Sequence, residues 1–435
     1  MKRDSSALES REHDVLVIGG GIAGAWTAWE AASRGLRVAL VELEDFGQAT
    51  SWSSLKTAHG GLRHLQRFDL AGFRESVRER RALLRVAPEI VRPLSFAVGQ
   101  LEGLDEMKFF FGGIVNDLLS WDRNQGVRED RQIGTTRLLD RAQAAALGGT
   151  PLEGGPAFVW QDAQITHTER LLLSLLHAAT AAAAVVLNRG QVESSVPGPQ
   201  GFEIKARDLV EDLPLAFRAR TVVNAAGANL EPVSRLFGQT CGSPALIRGV
   251  NVVLARDLTP KTAIGAKDRG RFLFLVPWLG RSILGTIYDE GKEPVESLVR
   301  ELMAAARRAF PWAELRDEDI RVVQAGHVPG APNGEPIYRS RLLAHGDPRL
   351  LSILTAKYTT ARATAEAAVD QIGRILSRPL PPSRSAFEEL PLARPLEGTP
   401  TERIRAAMDT EMAISEADAL RGRLIEGALG EGIDS

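Results

Sequence analysis

A glycine pattern set between two short apolar runs constrains this chain more than any other feature. Residues 14–19 read DVLVIG, a run of the β-branched and aliphatic residues that make a buried parallel strand. Gly19-Gly20-Gly21-Ile22-Ala23-Gly24 follows and fits G-x-G-x-x-G on Gly19, Gly21 and Gly24. An alanine-rich stretch, AWTAWEAASRG, then reads as a helix ended by Gly35, and LRVALVE reads as a second strand closing on Glu42. Each part has a physical task in holding a dinucleotide. Gly19 permits the tight turn, Gly21 lets a pyrophosphate approach the backbone, and Gly24 lets helix and strand pack closely. The helix N-terminus offers N–H groups and partial positive charge to the phosphates. Glu42, 18 residues beyond Gly24, is placed to accept hydrogen bonds from ribose hydroxyls.

Two later segments favour FAD over NAD. Thr221–Gly227, TVVNAAG, is a strand running into small residues, and Ala226 and Gly227 permit close backbone approach to a dinucleotide. Leu350–Leu354, LLSIL, reads as another buried strand leading into the helical TAKYTTARATAEAAVDQIGRIL. A helix N-terminus facing a flavin ring favours the negative charge gained on reduction. Lys357 and Thr359 are expected at that helix start, where a cation implies an anion nearby.

Between these landmarks lies SWSSLKTAHGGLRHL, Ser51–Leu65, a loop crowded with serines, glycines and cations. Ser53, Ser54, Lys56, His59, Gly60, Gly61, Leu62 and Arg63, with Asn224-Ala225-Ala226-Gly227, Val276-Pro277-Trp278, Gly285-Thr286, and Lys357 followed by Thr359-Thr360 and Arg362, resemble the FAD-dependent glycerol-3-phosphate dehydrogenases, within the wider D-amino-acid-oxidase-like flavoprotein group. AMDTEMAISEADALRGR, Ala407–Arg423, is similar to part of that family's C-terminal extension, so the resemblance spans about residues 14–423. It implies that Ser53, Ser54 and Lys56 wrap the FAD pyrophosphate and flavin, and that His59, Gly60 and Gly61 pass beneath the ring. Arg63 is then a substrate-phosphate anchor, a guanidinium gripping phosphate in bidentate fashion, and Lys357 a second anchor that contacts substrate phosphate or the flavin.

The chain departs from the family pattern at several places. Val328 stands where the family carries a substrate-side arginine, and Asn251 stands where it carries a histidine. Thr355-Ala356 replaces a glycine pair, His64 replaces a tyrosine, and the C-terminal extension is shorter. His64 and His327 are candidates to compensate, since a neutral imidazole takes a hydroxyl proton. His59, His64 and His327 are therefore the candidate catalytic bases.

The expected fold class is α/β: a Rossmann-like FAD-binding domain assembled from discontinuous segments, an antiparallel-sheet substrate domain and a short helical C-terminal tail. The expected divisions are a disordered lead at 1–13, FAD-binding segments at 14–92, 156–245 and 330–378, and substrate-domain segments at 93–155 and 246–329. A proline-rich linker and truncated helical extension make up 379–435, with Thr399 or Thr401 as a helix cap. The expected activity is oxidation of sn-glycerol 3-phosphate to dihydroxyacetone phosphate, with electrons passed to a quinone or other acceptor. Alternatives are a different phosphorylated polyol, a 2-hydroxy acid or an amine as substrate, or a flavin-bearing binding protein without turnover.

Composition narrows the partners. A net charge of −2 in 435 residues supplies no basic footprint for nucleic acid. The single cysteine, Cys241, excludes an internal disulfide and a multi-thiolate metal site, and suits a reducing cytoplasm. No apolar stretch reaches the roughly 18–20 residues of a spanning helix. MKFFFGGIVNDLLSW, Met107–Trp121, leaves two readings open: peripheral contact with the inner face of the cytoplasmic membrane, or packing inside the substrate domain. No oligomeric state is specified.

Overall fold

The computed structural model describes residues 1–99, 104–145, 152, 156–390 and 392–424. The chain divides into two compact units. Met1–Trp52, His167–Ile247 and His327–Ser435 form the first, and Ser53–Thr166 with Arg248–Gly326 form the second.

The first unit is built on a sheet whose centre is parallel. β1 (His13–Ile18) pairs in parallel with β2 (Val38–Val41) on one side and with the strand Leu213–Asn224 on the other. Leu350–Leu354 and Val185–Leu187 extend the parallel run at either end. Arg341–Ala344 and the meander formed by Gly190–Gly198 and Gly201–Asp208 add antiparallel strands. β1 and β2 are buried throughout, which explains their unbroken apolar sequence. α1 (Ile22–Ser33) crosses from β1 to β2, its small Ala25, Ala28, Ala31 and Ala32 buried where it packs on the helices Thr168–Ala181 and Ala361–Ile375. Gly35, at φ +82°, turns the chain out of α1.

The N-terminal lead is ordered, contrary to the sequence expectation for 1–13. Asp4 caps a 3-10 turn at Ser5–Leu8, and Leu8 is buried. Arg3 grips Asp208 with both nitrogens, at 2.8 and 2.5 Å. Burial opposes ionisation of Asp208, but Arg3, the Val210 N–H and Ser5 outweigh it and hold the carboxyl down to about 2. A polar lead without an apolar run gives no local signal of order. Its partners lie some 205 residues away.

The tail is helical, as Pro400–Thr410 and Glu416–Gly422. Thr399 caps the first helix and Glu402 completes a capping box. Preceding it, the proline-rich segment lies against α1: Arg34 donates to the Pro381 carbonyl at 2.7 Å, and Ser383 donates to Glu30 at 2.9 Å. Arg170 binds both oxygens of Glu411, and Arg423 binds both oxygens of Asp45, every one of these side chains buried.

The second unit is a nine-stranded sheet among the described residues. It runs Ile320–Pro329, Leu246–Leu254, Arg281–Asp289, Arg271–Trp278, Thr262–Asp268, Val91–Val98, Ala157–Ile165 and Thr57–Ala58, with Arg137–Leu139 also on Ala157–Ile165. One junction is parallel rather than antiparallel, between Thr262–Asp268 and Val91–Val98. These strands come from segments far apart in sequence, so no hairpin dictates their direction. Residues 53–92 and 156–166 belong to this second unit and not, as the sequence division had it, to the nucleotide-binding segments. Thr57 and Ala58 pair with Gln164 and Ala163, and the helix Leu70–Val86 packs on the same strand.

The two faces of this sheet differ. One is aliphatic, with Val159, Val252, Leu275 and Leu284 covered by Leu298, Leu302 and Met303 of the helix Val295–Ala309. The other carries an aromatic cluster of Phe96, Phe158 and Trp160 with Phe274. Alternation along Ala157–Ile165 puts Asp162 and Gln164 on the aromatic side with Trp160.

Candidate functional site

In the first unit the turn from β1 into α1 matches the demands of a bound pyrophosphate. Gly19 has φ +106°, and a Cβ there would stand 2.6 Å from the Ala225 carbonyl oxygen. Gly21 is the N-cap of α1 and supplies no side-chain cap. A Cβ on Gly24 would lie 1.8 Å from the Gly19 carbonyl oxygen, so only glycine allows the helix to start this close to the strand. The first-turn N–H groups of a helix lack intrahelical partners. One of them, from Ile22, donates to Ser51 Oγ at 3.0 Å. Ser51 lies at the start of the serine loop but belongs to no motif, and sequence reasoning missed it.

Glu42 follows β2 directly. Its Oε2 accepts from the Gly20 N–H at 2.5 Å and its Oε1 from the Glu44 N–H at 2.8 Å. Burial is the largest influence on this carboxyl and pushes it up. Each oxygen retains acceptor capacity beyond its backbone donor. After the strand Leu213–Asn224, Ala226 N–H donates to Asn224 Oδ1 at 3.2 Å, and Gly227 is exposed at φ +59°. Thr359 is buried. The helix after Leu350–Leu354 begins at Ala361 with Thr360 as N-cap, so Lys357 sits in the preceding loop rather than at the helix start. Its Nζ lies 5.5 Å from the Tyr338 ring centroid. His327 is exposed, and its backbone N–H and carbonyl both bond Thr50 Oγ1 at 3.0 Å.

In the second unit the serine loop continues. Ser53 is buried and its Oγ has no hydrogen-bond partner among the described residues, an orphaned hydroxyl of the kind a ligand oxygen satisfies. Ser54 Oγ accepts from the Lys56 N–H at 3.2 Å. Lys56 is fully buried at φ +56°, its Nζ 5.3 Å from the Trp278 ring centroid. Trp278 is held by donation to the Thr166 carbonyl at 2.8 Å. Gly61, at φ +95°, caps the one-turn helix Leu62–Leu65, which carries an exposed Arg63 and a buried His64. His64 Nδ1 bonds Asp69, itself the N-cap of Leu70–Val86. That geometry ties His64 into a helix junction.

His59 is placed differently. Its side chain is 45% exposed, with Nδ1 3.0 Å from Asp162 Oδ2 and Nε2 2.9 Å from Thr57 Oγ1. Neither Thr57 nor Asp162 carries a motif. Asp162 lies 103 residues from His59, and only the sheet brings it there. Gln324 was also missed: it is fully buried, and neither atom of its carboxamide has a partner among the described residues. Asn251, buried at a register shift between Val250 and Val252, accepts from Thr286 Oγ1 at 2.7 Å.

The pattern that defines the FAD dependent oxidoreductase family, DAO, matches residues 14–371. The chain belongs to that family. Its cofactor is FAD, and it is an FAD-dependent oxidoreductase. The tight glycine turn of the first unit fits such a group. A glycerol-3-phosphate dehydrogenase of Synechocystis is 30% identical over 423 residues, covering 89% of this chain and 75% of the relative. An aerobic glycerol-3-phosphate dehydrogenase of Staphylococcus epidermidis is 28% identical over 401 residues, covering 87% and 70%. The fold is that of the Bacillus halodurans glycerol-3-phosphate dehydrogenase solved with FAD: TM-score 0.69, 23% identity, 99% of this chain and 78% of the other.

Proposed function

We propose that this flavoprotein oxidises sn-glycerol 3-phosphate to dihydroxyacetone phosphate and passes the electrons to a quinone or another acceptor. The observation that carries the reading is the 30% identity to a glycerol-3-phosphate dehydrogenase across 89% of the chain. Bound FAD supplies the two-electron oxidant. For the cofactor, the first turn of α1 with Gly19, Gly21 and Gly24 takes the pyrophosphate, and Glu42 takes ribose hydroxyls. Ser53, Ser54, Lys56, Gly60, Gly61, Ala226, Gly227 and Thr359 are the remaining FAD contacts. Arg63 and Lys357 are substrate-phosphate residues. Of the three histidines, His59 is the best base, because its ring is half-exposed and oriented by a buried carboxylate. His64 is buried at a helix junction, and His327 holds a strand end through its backbone.

A second substrate reading has support of its own. Val328 and Asn251 replace an arginine and a histidine of the family pattern, and Gln324 offers a buried carboxamide without a partner among the described residues. These favour a different phosphorylated polyol, a 2-hydroxy acid or an amine. Anaerobic mixing of the yellow protein with sn-glycerol 3-phosphate separates the readings. Rapid bleaching of the oxidised flavin is expected. No bleaching, with dithionite still reducing the flavin, would move the assignment to the second group, and failure with every class would leave a flavin protein without turnover.

Peripheral membrane contact belongs to the same proposal. Among the described residues no helix is long and apolar enough to cross a membrane. The helix Leu104–Leu119 exposes Met107, Phe110, Phe111, Ile114, Val115 and Leu118 at helical spacing, and Trp121 follows, 76% exposed. The protein is expected to float with anionic phospholipid vesicles, and Phe111→Ser with Trp121→Ser to weaken flotation about tenfold or more, each aromatic removed costing on the order of 1–2 kcal/mol of buried apolar area. Equal flotation of both proteins would remove this surface from the proposal.

A further inference from the structure

Asp162 is nearly inaccessible, yet it accepts four hydrogen bonds. Arg80 and the Gly60 N–H, the latter at 2.6 Å, bind Oδ1, while His59 Nδ1 and Trp160 Nε1 approach Oδ2 at 3.0 and 3.2 Å. Gly60 makes this possible, because a Cβ there would stand 2.0 Å from an Arg80 guanidinium nitrogen. Burial opposes ionisation, but His59, the Arg80 charge and the Gly60 N–H together hold the carboxyl below its usual range. Asp162 is therefore a carboxylate at neutral pH, and a carboxylate only accepts.

We propose that Asp162 is a positioning residue that fixes the tautomer of His59, so that Nε2 is the atom that takes the substrate's hydroxyl proton. With Oδ2 able only to accept, Nδ1 must carry the hydrogen, and the neutral ring then has its lone pair on Nε2. The Thr57 hydroxyl, 2.9 Å away, donates to that lone pair at rest. Arg80 keeps the carboxylate charged and aimed. This assignment rests on the reading of the site as one that oxidises a carbinol. In that step the carbinol C–H breaks and its electron pair leaves with the hydrogen to the oxidised flavin. The O–H proton moves to Nε2, the C=O bond forms, and the resulting imidazolium faces Asp162.

Nitrogen NMR of the histidine-labelled holoprotein, at a pH where His59 is neutral, tests the assignment without turnover. His59 signals are identified by their loss in His59→Gln. The expected wild-type spectrum has a protonated Nδ1 and a bare Nε2. In Asp162→Asn the population shifts toward protonated Nε2, and anaerobic flavin reduction slows by about 10²–10⁴-fold, the usual share of a general base. A wild-type His59 protonated on Nε2 would overturn the proposal, even if the variant fails to fold. So would a yellow Asp162→Asn protein with an unchanged tautomer and rate. Failure of glycerol 3-phosphate to reduce the wild-type flavin would strike the substrate reading alone, since the tautomer is read without substrate.

Discussion

Gly24→Val is expected to yield a colourless protein. The Cβ of any substituent would lie 1.8 Å from the Gly19 carbonyl oxygen and 3.0 Å from its carbonyl carbon. Both are backbone atoms of the turn proposed to receive the pyrophosphate, so relief requires moving α1 away from β1. Overpacking of this kind costs about 1–3 kcal/mol in a tolerant core. Here the displaced groups are also the proposed cofactor ligands, and each 1.4 kcal/mol or so taken from binding lowers affinity about tenfold. Flavin occupancy, read as visible absorbance against protein absorbance after purification, should fall by about tenfold or more. Gly238→Ala is the control: its φ of +66° is unfavourable, but a Cβ there meets nothing within 4 Å. It should cost roughly 1–2 kcal/mol of backbone strain and leave the protein yellow. A fully yellow Gly24→Val protein would refute the assignment of this turn to the pyrophosphate.

Arg423→Ala is expected to destabilise the first unit by about 3–5 kcal/mol, because it strands a buried charge. Both Arg423 and Asp45 are wholly inaccessible, and their two hydrogen bonds measure 2.6 and 2.7 Å. Asn188 also donates to Asp45, at 2.9 Å, and to the Met412 carbonyl. Asp45 lies three residues beyond Glu42, so the pair fastens the C-terminal helices to the loop proposed to hold the ribose. The melting midpoint should fall by roughly 10 °C. The paired replacement Asp45→Leu with Arg423→Met removes both charges and should recover much of the loss. An unchanged midpoint in Arg423→Ala would mean that the tail is bound through its apolar contacts alone.

The nucleotide-binding strand–turn–helix was readable because each of its constraints is local. Strand runs, glycine spacing and the helix stop at Gly35 all fall within residues 14–42. The same holds for the strand Leu350–Leu354 and for the Thr399 cap, both visible in a few neighbouring residues. The resemblance extended that reading to FAD through residues that stand in order along the chain. Where a feature depended on distant partners, nothing in the nearby sequence announced it. Arg3 finds Asp208, Arg423 finds Asp45, and His59 finds Asp162, across 205, 378 and 103 residues.

Sheet membership shows the same division. Residues 53–92 follow the nucleotide-binding unit in sequence, yet Thr57 and Ala58 pair with Ala157–Ile165 and carry the loop into the second sheet. Among the histidines, residue type made three of them equal candidates. Burial against Asp69, backbone anchoring to Thr50 and the approach of Asp162 distinguish them. By itself, then, the sequence determined the elements, the glycine turn and the cofactor family, since short-range sterics and periodicity decide those. Tertiary structure alone decided which strands share a sheet, which termini are anchored and which half-exposed imidazole has a buried carboxylate behind it, because those depend on pairings that chain separation hides.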